Sequence, residues 1–128
     1  MITDVELYRK ALLAAEHAYA PYSNYHVGAA VLTADGAVYE GANIENASYG
    51  ATICAERVAA TKAIYDGKSI AAVAVAIKGS GEISFPCGIC RQFLSEFGLD
   101  IRVITGSDED HLETYTLKEL LPKAFTIN

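Results

Sequence analysis

The residues able to do chemistry are gathered in two short stretches. Cys54-Ala55-Glu56 and Pro86-Cys87-Gly88-Ile89-Cys90 together hold all three cysteines of the 128-residue chain. Three thiolates can ligate one zinc ion at about 2.3 Å each and leave a fourth position for water. A carboxylate beside that position can carry protons, which makes the set a catalytic one. Glu56 stands two residues after Cys54. Residues two apart do not share a helix face, but near a first turn both side chains can lean past the helix end, so Glu56 is spaced to take a proton from water rather than to ligate. Both stretches read as helix N-termini, where free backbone N–H groups and the helix dipole favour thiolate over thiol. Arg57 lies three residues after Cys54, on the same helix face. Its cation can hydrogen-bond the sulfurs and offset the excess negative charge that would leave a three-thiolate zinc a weak Lewis acid.

The same residues admit other readings. A structural zinc would be completed by His17, His26 or His111, yet no histidine lies beside either stretch, and such a site has no use for Glu56 or Arg57. A thioredoxin-like redox pair of Cys87 and Cys90 leaves Cys54 idle. A first-turn glutamate is also explained by the helix dipole alone.

Composition narrows the partners. The net charge is −6 and the pI about 4.9, a poor match for nucleic acid, which requires cations against phosphates, or for an anionic membrane surface. A small uncharged ligand fits better. The longest apolar run, from Ile70 to Ile77, is too short to span a bilayer. The opening MITDVELYRK lacks the basic and apolar regions of a signal peptide. A reduced, cytoplasmic protein is expected, and thiols there point to metal or catalysis. Residues 1–128 are expected to form one domain with its own core.

The elements that position the two stretches follow from periodicity and punctuation. Thr3 with Glu6 predicts a capping box. Val5, Tyr8, Leu12, Ala15 and Tyr19 then predict one buried helical stripe, which Pro21 ends or bends. Val27 to Thr33 and Val38 to Ala42 read as a hairpin turning at Asp35-Gly36. Thr52 predicts the cap of a second helix from about Ile53 to Asp66, stopped by Gly67. Ala71 to Ile77 alternates Ala with Val and predicts a central strand covered on both faces. A third helix follows Pro86, with Ile89, Phe93 and Phe97 as its stripe and Gly98 closing it. Ile101 to Thr105 reads as a strand, with one optional strand after it. Thr116 and Glu119 predict a last short helix. The order is α/β, a mixed sheet with helix layers, whose sites cluster at strand ends and helix N-termini. Polar Asn43-Ile44-Glu45-Asn46, at the exit of a strand, reads equally as loop punctuation or ligand contact.

A metal ligand two residues before Glu, followed by P-C-x-x-C, is the zinc-deaminase pattern. At these residues the chain resembles the small homotetrameric cytidine deaminases, nearly end to end. TICAERVAA and PCGICRQ look like the two zinc motifs, PYSNYHVGAAV the N-terminal motif and NIENASYG the nucleoside-binding motif. The resemblance implies a mixed five-stranded sheet with helices on both sides, and hydrolytic deamination of cytidine and deoxycytidine in pyrimidine salvage. It implies zinc, one per subunit, on Cys54, Cys87 and Cys90. Glu56 is then the proton shuttle and Arg57 tunes the thiolates. Asn43 and Glu45 would bind the ribose hydroxyls, the Ala55 N–H the pyrimidine carbonyl, and Tyr25 would pack on the base. Phe125 resembles the aromatic residue that such subunits present to a neighbour's site, with Tyr49 at the same interface, so a homotetramer would complete each active site. Position 25 departs from the family, which usually carries Phe there; a Tyr hydroxyl needs a partner or a water. The roles of Arg91 and Gln92 stay open. Blasticidin S deaminases resemble the chain in the zinc motifs, and a non-catalytic zinc module would require a fourth protein ligand.

Overall fold

The computed structural model describes residues 1–127. Thr3 opens α1 (Asp4–Ala14) through the reciprocal capping box with Glu6. The buried face differs from the predicted stripe. Leu7, Tyr8, Ala11 and Ala14 point inward, whereas Leu12 is 40% exposed and Tyr19 57%. The strand beneath explains the rotation. A Cβ on Gly28 would stand 1.8 Å from the carbonyl oxygen of Ala11, so the α1 backbone rests directly on β1 (Val27–Thr33). Only an alanine-lined face allows that approach. The helix also ends earlier than expected: a 3-10 turn over Ala15–His17 follows it, well before Pro21.

β1 turns at Asp35-Gly36, where Gly36 takes φ +93°, and returns as β2 (Val38–Ala42). The sheet is five-stranded in the order β2-β1-β3-β4-β5. Its remaining strands are β3 (Ile70–Ile77), β4 (Arg102–Gly106) and β5 (Leu112–Thr116). β3 runs antiparallel to β1 and parallel to β4, and the optional last strand pairs antiparallel with β4. The alternation along β3 sorts two cores. Ala72, Ala74 and Ala76 pack with Leu7, Tyr8 and Ala11 on one face. Val73 packs with Ala55, Ala59, Leu94 and Val103 on the other. The small residues thus meet the closely seated α1, and the larger ones fill the space under the remaining helices.

That second layer holds α2 (Ala55–Tyr65) and α3 (Gly88–Ser95), and α4 (Leu117–Leu120) carries the predicted Thr116–Glu119 capping box. Thr52 does not cap α2; Cys54 occupies the N-cap, and Thr52 ends a 3-10 turn over Tyr49–Ala51. On α3 the predicted stripe is also rotated. Cys90 and Leu94, one helical turn apart, are buried, while Ile89 is 66% exposed and Phe97 41%. Phe93 alone of the predicted stripe packs against the core. Among the described residues, no helix is long and apolar enough to cross a membrane.

Candidate active site

Cys54 is the N-cap of α2 and Cys87 the N-cap of α3, both extended and neither making a side-chain cap bond. The two sulfurs are 3.7 Å apart, so the helices aim their N-terminal ends at one point. Cys90, one turn into α3, is buried and joins them: the three sulfurs lie within 4.8 Å of one another. Two sulfurs each about 2.3 Å from one ion at a tetrahedral angle are about 3.8 Å apart. The cluster therefore has the size of a zinc ligand set. Among the described residues no histidine or carboxylate joins it. His26 pairs with Asn24 and His111 with Asp108, while His17 lines a separate cavity beside β2.

Charge accumulates on this cluster by design of the chain around it. Two helix N-termini, each equivalent to about half a positive charge, face the sulfurs. Arg57 donates Nη2 to the Cys54 sulfur at 3.7 Å and to the Thr52 carbonyl at 3.3 Å. Its Nε is buried without a partner, a placement tolerable beside concentrated thiolate charge. The Cys54 thiol is drawn down to about 5, first by its hydrogen bond with Cys90 and then by Arg57. Cys90, which shares that proton and is buried, is pushed the opposite way.

Because Cys54 stands outside the helix as its cap, Glu56 is the second residue of α2, and it lines one cavity with Cys54 and Cys87. It is only 4% exposed. Burial, with the Cys54 charge adding to it, lifts the carboxyl from 4.5 to about 7, a value suited to accepting and returning protons at neutral pH. Cys54, Ala55, Glu56 and Cys87 line one cavity of about 220 Å³ with Tyr25, Val27, Asn43, Thr52, Ser84 and Phe85. Larger hollows lie elsewhere, of about 490 Å³ beside β2 and about 350 Å³ around Tyr22, Glu45 and Tyr49. The smaller one contains the titratable groups, and chemistry rather than volume selects it.

The elements holding this cavity are tied together at backbone level. Ile44 forms bridges to Tyr19 on one side and Ile53 on the other, which fixes the Asn43–Glu45 segment against the residue preceding Cys54. Ala55 is fully buried as the first residue of α2, a position whose N–H has no intrahelical acceptor. Asn43 is 8% exposed. Its Oδ1 accepts from the Val27 N–H at 2.9 Å and its Nδ2 donates to the Tyr25 carbonyl at 2.7 Å. The Tyr25 ring is 43% exposed at the cavity rim. Glu45 lies outside this cavity and lines the neighbouring one, which shares Thr52 with it. Tyr49 lines that neighbouring cavity too, edge-on to Tyr22 with ring centroids 6.1 Å apart.

Phe125 is not among the residues lining the cavity of its own chain, and its ring is 70% exposed. The open residues of α3 find roles here. Gln92 donates Nε2 to the Phe125 carbonyl at 2.9 Å and accepts the Phe125 N–H at 3.2 Å. Arg91 donates to the carbonyls of Pro86 and Leu120, both at 2.8 Å. Each ties α3 to the C-terminal segment. Sequence reasoning missed Thr52, Ser84 and Phe85 as cavity walls. Ser84 and Phe85 sit in a Gly/Ser-rich connection, and their position depends on a tertiary contact, the Thr105 hydroxyl donating to the Ser84 carbonyl at 2.7 Å.

The family model for the cytidine and deoxycytidylate deaminase zinc-binding region matches residues 1–107. The chain belongs to this deaminase family. It is 47% identical over 122 residues to a cytidine deaminase of Halalkalibacterium halodurans, covering 94% of this chain and 92% of that protein. It is 45% identical to one from Sporosarcina psychrophila, over 96% and 92% of the two chains. The crystal structure of a cytidine deaminase from Burkholderia pseudomallei superposes with a TM-score of 0.90 at 41% identity, covering 97% of this chain and all of that one. Family membership and the three-cysteine cluster agree on zinc as the cofactor.

Proposed function

We propose that the protein is a zinc-dependent hydrolase converting cytidine and 2′-deoxycytidine to uridine and 2′-deoxyuridine, with release of ammonia. The whole chain acts as one deaminase domain, in the cytoplasm, in pyrimidine salvage. One observation carries the reading: three cysteine sulfurs converge within 4.8 Å, and two of their residues, Cys54 and Cys87, line a cavity with the buried carboxyl of Glu56. Family membership supports it.

Zinc held by Cys54, Cys87 and Cys90 supplies a Lewis acid that makes water a nucleophile near neutral pH. The other steps belong to the chain. Glu56 accepts a proton from the attacking water and delivers it to ring nitrogen N3, which makes C4 electrophilic. It then takes the proton left on the oxygen added at C4 and delivers it to the amine, so that the C4–N bond breaks, ammonia leaves and the C4 carbonyl forms. The Ala55 N–H binds the pyrimidine carbonyl, Tyr25 packs on the base, and Asn43 and Glu45 take the ribose hydroxyls. Arg57 limits the charge on the sulfurs. Phe125 and Tyr49 serve a neighbouring subunit in a homotetramer, a role that suits the 70% exposure of the Phe125 ring.

The test is the ultraviolet change on mixing zinc-loaded protein with cytidine, with blasticidin S in parallel. Rapid conversion of cytidine to uridine supports the assignment. Turnover of blasticidin S alone, or of neither compound by folded zinc-loaded protein, overturns it.

A further inference from the structure

The carboxylate of Glu45 is held by a small cage built from one turn of chain. Its Oε1 accepts the backbone N–H groups of Tyr22 and Ser23, at 3.0 and 3.1 Å. Its Oε2 accepts the Ser23 hydroxyl in a short hydrogen bond. The same hydroxyl oxygen accepts the N–H of Tyr25 at 3.0 Å. Asn24 between them takes φ +57°, the left-handed conformation that Asn tolerates better than most residues, and this reversal folds Tyr25 back over Ser23. A hydroxyl has one proton to donate, and here it goes to Glu45. Ser23 has none left for a ligand.

From this geometry we infer that Ser23 is a positioning residue for nucleoside selection, joining the carboxylate of Glu45 to the backbone that carries the Tyr25 ring. A carboxylate has about four lone-pair directions. Three are taken by the cage, so the remaining one is aimed, and a sugar hydroxyl can use it only at one setting of the carboxylate plane. The loop meanwhile sets the height of the ring against the base. One hydroxyl thus keeps the sugar-binding and base-packing groups in register. The hydrogen bonds also keep Glu45 ionised by lowering its pKa, the Ser23 hydroxyl first among them. An ionised carboxylate can only accept, which suits a hydroxyl donor.

The inference rests on the reading of Glu45 as a ribose contact, and the experiment separates the two. Ser23→Ala, Ser23→Thr and Glu45→Gln are compared with the parent zinc-loaded enzyme on cytidine and on 2′,3′-dideoxycytidine, which lacks the hydroxyls. Ser23→Ala should raise KM for cytidine about tenfold, the effect of one charge-assisted hydrogen bond, with kcat within about twofold and a smaller loss, of about twofold, in kcat/KM for the dideoxynucleoside, which still uses the Tyr25 ring. Ser23→Thr, which keeps the hydroxyl, should restore cytidine KM. If Ser23→Ala lowers kcat/KM equally for both nucleosides, or changes neither, Ser23 is only a loop residue and the inference fails. If Glu45→Gln leaves the discrimination between the two nucleosides intact, the ribose reading of Glu45 fails and takes the inference with it. If Glu45→Gln abolishes the discrimination and Ser23→Ala does not, the inference alone fails.

Discussion

Cys54 and Cys87 hold the same position on two different helices, each the N-cap, with their sulfurs 3.7 Å apart. A cap is normally a Ser, Thr, Asp or Asn whose oxygen accepts a backbone N–H; here neither thiol makes that bond. Cap quality and metal ligation therefore separate under mutation. Below about pH 5, where the Cys54 thiol is protonated in the folded and unfolded chain alike, Cys54→Ser should leave the metal-free protein as stable as before, or up to about 1 kcal/mol more stable, because serine is the better cap. The same variant should lose zinc and activity. Zinc content by atomic absorption, set beside urea unfolding of metal-free samples, checks both halves. A Cys54→Ser protein that kept stoichiometric zinc would remove Cys54 from the ligand set.

Glu56 gives a prediction with a sign. Its carboxyl is raised from 4.5 to about 7 in the folded chain, chiefly by burial. Between those values the metal-free folded state holds a proton that the unfolded chain has released. This contribution is fully present below pH 4.5 and falls by about 3 kcal/mol as pH rises to 7. The lowered Cys54 thiol acts in the opposite direction, so the Glu56 part is isolated by subtracting a variant that cannot titrate. Metal-free Glu56→Gln should lack this decline, and with zinc it should keep the metal while turnover drops about 10²–10⁴-fold. Equal pH slopes for wild type and variant would show that the carboxyl is not desolvated.

The chemistry was legible in the sequence because it depends on residue types at fixed spacing. C-A-E and P-C-x-x-C needed only two helix starts to meet, and Pro86 and the helical periodicities supplied those. The strands were legible for a similar reason, since the Ala/Val alternation of β3 can be satisfied only between two layers. The buried faces of α1 and α3 were misread. Period alone favours bulky residues such as Leu12 and Ile89, and it carries no information about a glycine on another strand that lets a helix backbone settle. The cage around Glu45 was invisible because it joins residues more than twenty positions apart through backbone N–H groups, which no residue type announces.

Gly41 tests this coupling of packing to site. A Cβ there would stand 2.5 Å from the Ala59 nitrogen and 2.8 Å from the Ala55 carbonyl oxygen. Gly41→Ala must push away the first turns of α2, which carry Glu56 and begin at Cys54. Gly28→Ala instead meets α1 on the opposite face of the sheet. Both should destabilise by about 1–3 kcal/mol or more through overpacking. Only Gly41→Ala should also weaken zinc binding in the folded protein, measured by competition with a chromogenic chelator. Equal zinc affinity in the two variants would mean that α2 relaxes without moving its N-terminus.

Phe125 leads to the last prediction. Gln92 holds its backbone by both N–H and C=O, yet the ring is left 70% exposed and outside the cavity of its own chain. With its backbone held on both sides and its side chain uncovered, Phe125 is available to an adjacent subunit. If Phe125 serves a neighbour's site, two inactive partners should rescue each other. Glu56→Gln subunits supply Phe125, and Phe125→Ala subunits supply Glu56. Dissociated and reassembled together, they should form mixed oligomers in which some sites hold both residues. The mixture should then exceed the average of the two parents in deamination rate, and the gain should vanish when the subunits are mixed without dissociation. Gln92→Ala, which frees the tail while leaving the ring in place, should fall between wild type and Phe125→Ala. A mixture that never rises above the parental average would return Phe125 to its own chain and leave each site to be completed by a single subunit.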